Sequence, residues 1–259
     1  MNLDDWLIAH IQMFALILFR VLSLCMVAPI FGNKAVQARL KIGFGFFLAV
    51  MLMPLLMRVQ RPTVLAWSGL PLLIAEECSV GLLIGLVSSI VFAATHLSGQ
   101  IIGRHMGLGL ARVIDPNGAG QSSIVGQFES IVALMLFLAI GGHHLLVLAI
   151  CDSFEIVPLG GVQLHTDMAF NIVRITGRLF PIAIKITAPA FVILIVTTVV
   201  IGLVARSVPQ MNVLIVGLPL KIAVGIVGLA ACVPMLAYVF EKMLRVTTAD
   251  VYTMLDHLR

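Results

Sequence analysis

The chain has 259 residues, 61% of them hydrophobic and 11% charged, with a mean hydropathy of +1.13. Soluble domains use roughly 45–50% apolar and 25% charged residues, so this composition excludes an ordinary soluble domain and points to an integral membrane protein of the all-α class. The formal charge of +4 is dispersed along the chain, which suits an anionic lipid surface and argues against nucleic-acid recognition.

The N-terminus opens Met-Asn-Leu-Asp-Asp-Trp rather than with a basic region, so no cleavable leader is expected. Residues 7–31 form the first apolar run, interrupted by His10, Gln12 and Arg20 and closed by Ala28-Pro29-Ile30-Phe31-Gly32. A basic connector with Lys34, Arg39 and Lys41 follows. The run 42–57 is short for a 30 Å core and reads as half of a bent hairpin. The third segment starts weakly at Val64, passes Pro71, Glu76 and Glu77, and becomes strongly helical over 80–97. Gly81, Gly85, Ser89 and Ala93 recur every fourth position there, and Gly99, Gly103, Gly107 and Ala111 continue the pattern. Such a seam lets another helix backbone approach closely, within this chain or from a neighbouring subunit.

Residues 99–127 are rich in glycine, and from Arg112 to Ser123 they carry two charges, hydroxyls and a Pro-Asn-Gly turn signal. Irregular backbone cannot face lipid, because each unpaired N–H or C=O in hydrocarbon costs several kcal/mol. This loop is therefore wrapped by protein, lines a watery cavity, or lies outside the bilayer, which makes it a candidate gate or plug. The run 124–150 follows, broken at Gly141-Gly142-His143-His144. A mixed region leads into 179–204, where Pro181, Lys185 and Pro189 are expected to kink or interrupt the helix. The polar connector Ala205-Arg206-Ser207-Val208-Pro209-Gln210-Met211-Asn212 precedes the run 213–240, which holds Pro219, Lys221 and Pro234. An amphipathic tail, 241–259, ends the chain. The window rule gives about six hydrophobic segments, several of them kinked or broken.

Few residues invite chemistry. Arg20, Glu77, Lys185 and Lys221 are charges inside apolar runs and are expected to face protein, with ion pairing preferred over proton relay; for Arg20 and Lys221 the alternative is snorkelling from nearer a helix end. Cys25, Cys78, Cys151 and Cys232 are far apart and read as small hydrophobes. Adjacent His143 and His144 point to different helix faces and lack a companion ligand set, so no metal is expected. No phosphate-cradling glycine loop is present, hence no nucleotide and no cofactor. An intramembrane protease would need Ser98 or Ser130 beside a histidine, and a small-solute transporter would need a midplane site built from Lys185, Lys221 and Glu77.

An ordered series of motifs runs along nearly the whole chain. It comprises Ala28-Pro29-Ile30-Phe31-Gly32 with Ala38-Arg39-Leu40, and Glu77 with Gly81 and Gly85. Gly99, Gly103 and Met106-Gly107-Leu108 come next, then Asp115-Pro116 and Gly126-Gln127-Phe128. Most specific is Ala205-Arg206-Ser207-Val208-Pro209-Gln210-Met211-Asn212-Val213, followed by Gly217-Leu218-Pro219-Leu220-Lys221. The series resembles the FliR proteins of the flagellar type III export gate, whose virulence-secretion relatives form the SctT group.

The resemblance implies one export-gate membrane domain over 1–259. Its parts are N-terminal helices (1–98), a pore-loop region (99–127), C-terminal helices (128–240) and a tail (241–259). It implies assembly with FliP and FliQ, with FlhB nearby, into an inner-membrane pore at the flagellar basal body that passes unfolded substrates. A non-enzymatic role follows. The pore-closing loop carries over to Ala111, Arg112, Val113, Ile114, Asp115, Pro116, Asn117, Gly118, Ala119, Gly120, Gln121, Gly126 and Gln127. Helix packing or subunit contact carries over to Gly81, Gly85, Gly99, Gly103, Gly107, Arg206, Pro209, Gln210 and Asn212. A virulence-secretion subunit remains the alternative within the same resemblance.

Overall fold

A computed structural model describes residues 3–29, 32, 36–60, 66–109, 123–162, 166–210, 212–256 and 258. Among them the regular elements are all helices: α1 (Leu3–Val27), α2 (Ala38–Val59), α3 (Leu70–His105), α4 (Ile124–Ala139), α5 (Gly142–Ile156), α6 (Thr166–Gly177), α7 (Leu179–Ser207) and α8 (Val213–Asp256). Five stretches are long and apolar enough to cross a bilayer, and the broken pair α4 and α5 makes a sixth if counted as one span. The six segments read from sequence are thus present as helices.

Local chemistry sets the boundaries. Ser123 caps α4, its hydroxyl accepting from the Gly126 N–H, and the Asn212 side chain caps α8 by accepting from Ile215. α3 ends in a left-handed turn at Gly107 (φ +84°), where the Leu108 amide donates to the Gly103 carbonyl and the Gly107 amide to Arg104. Gly141 (φ +78°) makes the corresponding break between α4 and α5.

Three expectations change. α2 has 22 residues and rises about 33 Å, so the run 42–57 belongs to a whole helix rather than half a hairpin. α7 is uninterrupted: Pro181 sits in its first turn, where the missing N–H is not needed, and Pro189 lies inside a continuous helix. The last helix does not stop at Phe240 but runs from Val213 to Asp256 through both Pro219 and Pro234, its residues from Leu244 on belonging to the first unit.

The helices gather into two compact units. The first comprises Met1–Ile90, Gly141–Thr176 and Leu244–Arg259. Here α1 presents Ala9, Met13, Leu16, Ile17, Arg20 and Leu24 inward, a spacing of three and four that makes one buried face. Phe14 meets Phe46 of α2 edge-on, with ring centroids 5.5 Å apart. The Tyr252 hydroxyl donates to Asp152, which ties the C-terminal part of α8 to α5 and raises the phenol above its usual range.

The second unit comprises Val91–Ile140 and Gly177–Met243. Phe92 of α3 meets Phe137 of α4 and Phe240 of α8, both edge-on at 5.3 Å. Ile102, Met106, Val125, Ala190, Leu194 and Cys232 form a common core from four helices.

Candidate functional site

The loop assigned to pore closure lies mostly outside the described residues: Ala111 to Gln121 all do, whereas Gly126 and Gln127 open α4. What the structure does give is the pair of anchors on which the loop hangs, both in the second unit. α3 remains helical through Gly99 and Gly103, so the glycine-rich region is regular up to His105. A methyl group placed on Gly99 would sit 2.5 Å from the Gly126 Cα and 2.8 Å from its nitrogen. One placed on Gly103 would sit 2.6 Å from the Ser123 hydroxyl oxygen. α3 and the start of α4 are thus clasped backbone to backbone at Gly99, and backbone against the Ser123 and Val125 side chains at Gly103, approaches that glycine permits. Gly107 faces Leu218 of α8 just beyond the α3 terminus.

Ser123 serves this clasp twice, as the α4 cap and as the residue facing Gly103. We predict that Ser123→Ala lowers stability by about 1 kcal/mol. Thermal melts of the detergent-solubilised protein measure this, and an unchanged melt would show that the cap carries no weight.

Polar groups cluster behind the clasp. The Thr187 hydroxyl of α7 donates to the Ala183 carbonyl (2.7 Å) and lies 3.1 Å from the Ser98 hydroxyl. Glu129 of α4 is 3% exposed, and the Ser98 hydroxyl and Gly99 backbone face it without either completing a hydrogen bond to its carboxylate oxygens. The sequence reading passed over Glu129. The criterion that singled out Arg20, a charge in an apolar run, applies equally to Glu129 in 124–150.

His96 comes within 3.2 Å of Ser130, the contact that a protease reading asks for. Its polarity is wrong, however. The Ser130 hydroxyl already donates to the Gly126 carbonyl at 2.7 Å, so the ring Nδ1 is the donor to the serine oxygen and does not act as its base.

In the first unit, the structure joins Arg20 and Glu77. Both are fully buried, with Arg20 Nε 2.5 Å from a Glu77 oxygen. The rest of the guanidinium donates to the Ser153 and Val157 carbonyls (3.0 and 3.1 Å) and lies 4.2 Å above the Phe154 ring. The other Glu77 oxygen accepts from the Gly160 amide at 3.0 Å. The pair thus closes the C-terminus of α5 and the Gly160 turn (φ +70°) against α1 and α3. Gly81 and Gly85 make room for it. A methyl group on Gly81 would sit 2.2 Å from the Arg20 carbonyl, and one on Gly85 would sit 2.9 Å from the Val27 Cβ.

Lys185 and Lys221 lack, within this chain, the protein cover expected of them: Lys185 is exposed on α7 and Lys221 half-exposed on α8. Arg206, Pro209, Gln210 and Asn212 are exposed at the connector between these helices. Lys185 and Lys221 belong to the second unit, whereas Glu77 belongs to the first and is engaged by Arg20 and the Gly160 amide.

Residues 11–246 match the family model described as bacterial export proteins, family 1. The flagellar biosynthetic protein FliR of Bacillus subtilis (strain 168) is 34% identical to this chain over 238 residues, covering 90% of the chain and 91% of the relative. The chain belongs to the FliR family of bacterial export proteins. Its similarity to FliR of Escherichia coli (strain K12) is 29% over 240 residues, 93% of this chain and 91% of that one. FliR of Caulobacter vibrioides is 29% identical over 239 residues. The motif series read from the sequence therefore lies inside a match that extends over nearly the whole FliR length. This membership makes the protein a helical membrane component of the flagellar export apparatus.

Proposed function

We propose that this chain is one wall of the flagellar protein-export gate. It joins FliP and FliQ, with FlhB nearby, in a pore of the bacterial inner membrane, and the loop 111–121 helps to close that pore to ions while unfolded substrates are not passing. The observation that carries the reading is the family match over 11–246. The clasped loop ends support it, since a plug must be tethered firmly while its own backbone yields.

In this reading the protein is a passive conduit, and energy comes from elsewhere in the apparatus. The need for closure is physical: a hole wide enough for a polypeptide conducts ions. The flagellar assignment is preferred over virulence secretion because the relatives reported above bear flagellar names.

Deleting residues 117–121 is expected to raise ion leakage in cells assembling the complex while the chain still accumulates in the membrane. Conductance equal to that of the wild type, with the complex intact, would rule out closure by this loop.

A further inference from the structure

We propose that Glu129 is a proton-binding site, and that the bound proton latches the first turns of α4 onto α3. The inference goes beyond the gate reading and does not depend on it, because it concerns only the described anchors in the second unit.

Isolation is the first observation. Glu129 is 3% exposed, and neither of its carboxylate oxygens has a hydrogen-bond partner among the described residues. The groups that act on it are the Ser98 hydroxyl and Gly99 backbone of α3 and the Cys232 thiol of α8. None is a cation. His96 of α3 turns its Nδ1 to the Gly126 carbonyl and the Ser130 hydroxyl, and Lys185 of α7 is exposed. Glu77, the other buried carboxylate among the described residues, has Arg20 at 2.5 Å and the Gly160 amide at 3.0 Å. An ion with neither kind of compensation costs far more in such an interior than a neutral acid does.

The hydroxyls decide which way the hydrogen bonds point. Thr187 has one hydroxyl proton, and it goes to the Ala183 carbonyl at 2.7 Å. The Ser98 oxygen lies 3.1 Å from the Thr187 oxygen, so the proton between them belongs to Ser98. Ser98 then has only lone pairs to offer Glu129. A carboxylate, which can only accept, finds no donor in that hydroxyl. A carboxylic acid donates to it and completes a chain from Glu129 through Ser98 and Thr187 to Ala183, joining α4, α3 and α7.

Position gives the proton its effect. Glu129 follows Gly126 by three residues, about one turn along the helix whose start lies against Gly99. With the proton bound, the acid adds a hydrogen bond to that clasp. When the proton leaves to water, the charge left behind has no counterion, and α4 must shift to admit water to it. An unfolded chain releases the same proton at about pH 4.3, so the stability that the latch adds is present in acid and disappears as pH rises through the native titration.

The test compares the full chain, purified in mild detergent with any subunits that accompany it, with Glu129→Gln, which keeps an N–H donor of similar shape and cannot titrate. At neutral pH the infrared spectrum of the wild type is expected to show the carbonyl stretch of a protonated carboxyl that the variant lacks. Raising the pH from about 5 to about 9 is expected to lower the wild-type melting temperature more than that of the variant. Over the same range, amide exchange of residues 124–130, corrected for its intrinsic pH dependence, is expected to accelerate at least about tenfold more in the wild type. Ser98→Ala covers the case of a glutamine variant that does not fold: it removes the acceptor and should move the carboxyl band to higher frequency without abolishing it. Identical carboxyl regions in wild type and Glu129→Gln, or a band that Ser98→Ala leaves unmoved, overturn the site. A wild-type acid band together with pH-independent exchange of 124–130 overturns the latch.

Discussion

Replacing Arg20 by methionine is expected to prevent stable folding of the first unit, whereas replacing Arg20 and Glu77 together with apolar residues restores part of the loss. Breaking a buried pair from one side costs about 3 to 5 kcal/mol, because the remaining ion stays in a low-dielectric interior without its counterion. Here the damage extends past the pair. The guanidinium also satisfies the Ser153 and Val157 carbonyls at the α5 terminus, which have no water to turn to once the side chain is gone. Arg20→Lys is expected to fall between the wild type and Arg20→Met. An ammonium can meet Glu77 but cannot span two carbonyls with a planar fork, nor lie flat on the Phe154 ring. In the double variant no charge is stranded, yet the Val157 carbonyl and Gly160 amide remain open, so recovery is incomplete. Thermal melts of the detergent-solubilised single and double variants give the coupling directly. Strict additivity of the two substitutions would mean that the pair contributes nothing as a pair.

The same pair marks how far the sequence could be read. That Arg20 and Glu77 stand in apolar runs is visible locally, because the expense of an unpaired charge there does not depend on tertiary detail. Their 57-residue separation is not a local quantity, and nothing in either segment names the other. The small-residue spacing at Gly81, Gly85, Gly99 and Gly103 was legible in the same limited way. Its period announces close approach, but which helix approaches is decided by the whole arrangement: α1 for the first two glycines and α4 for the last two. Lys185 shows the converse limit, since a cation in an apolar run implies protein cover while this chain by itself leaves it exposed. Helix limits were clearest where side-chain chemistry is local, as at Ser123, Asn212 and Gly141. They are least clear at proline, because a helix held by neighbours along its length tolerates the loss of one backbone bond, as at Pro189, Pro219 and Pro234.

Gly99→Val is expected to damage export through the loop anchors rather than through the first unit. The atoms that a side chain at 99 would meet first are the Gly126 Cα at 2.5 Å, the Gly126 nitrogen at 2.8 Å and the Val125 carbonyl oxygen at 2.9 Å. All three belong to the backbone of the first turn of α4, so no rotamer change can relieve the clash. The helix end has to move. Overpacking in a core costs about 1 to 3 kcal/mol, and the upper part of that range applies where backbone must yield. Movement of this turn carries Ser123 away from Gly103, so the returning end of the loop is displaced from its outgoing end, and the plug of the proposed gate loses its tether. Export measured by swimming or by secreted hook protein should fall at least about tenfold, in line with that destabilisation. Gly43→Val and Gly202→Val serve as controls, because a first carbon at either position meets nothing within 4 Å. Those two should accumulate and export near the wild-type level. Wild-type export by Gly99→Val would show that the two loop ends need not stay clasped, and closure would then have to reside in another part of the chain.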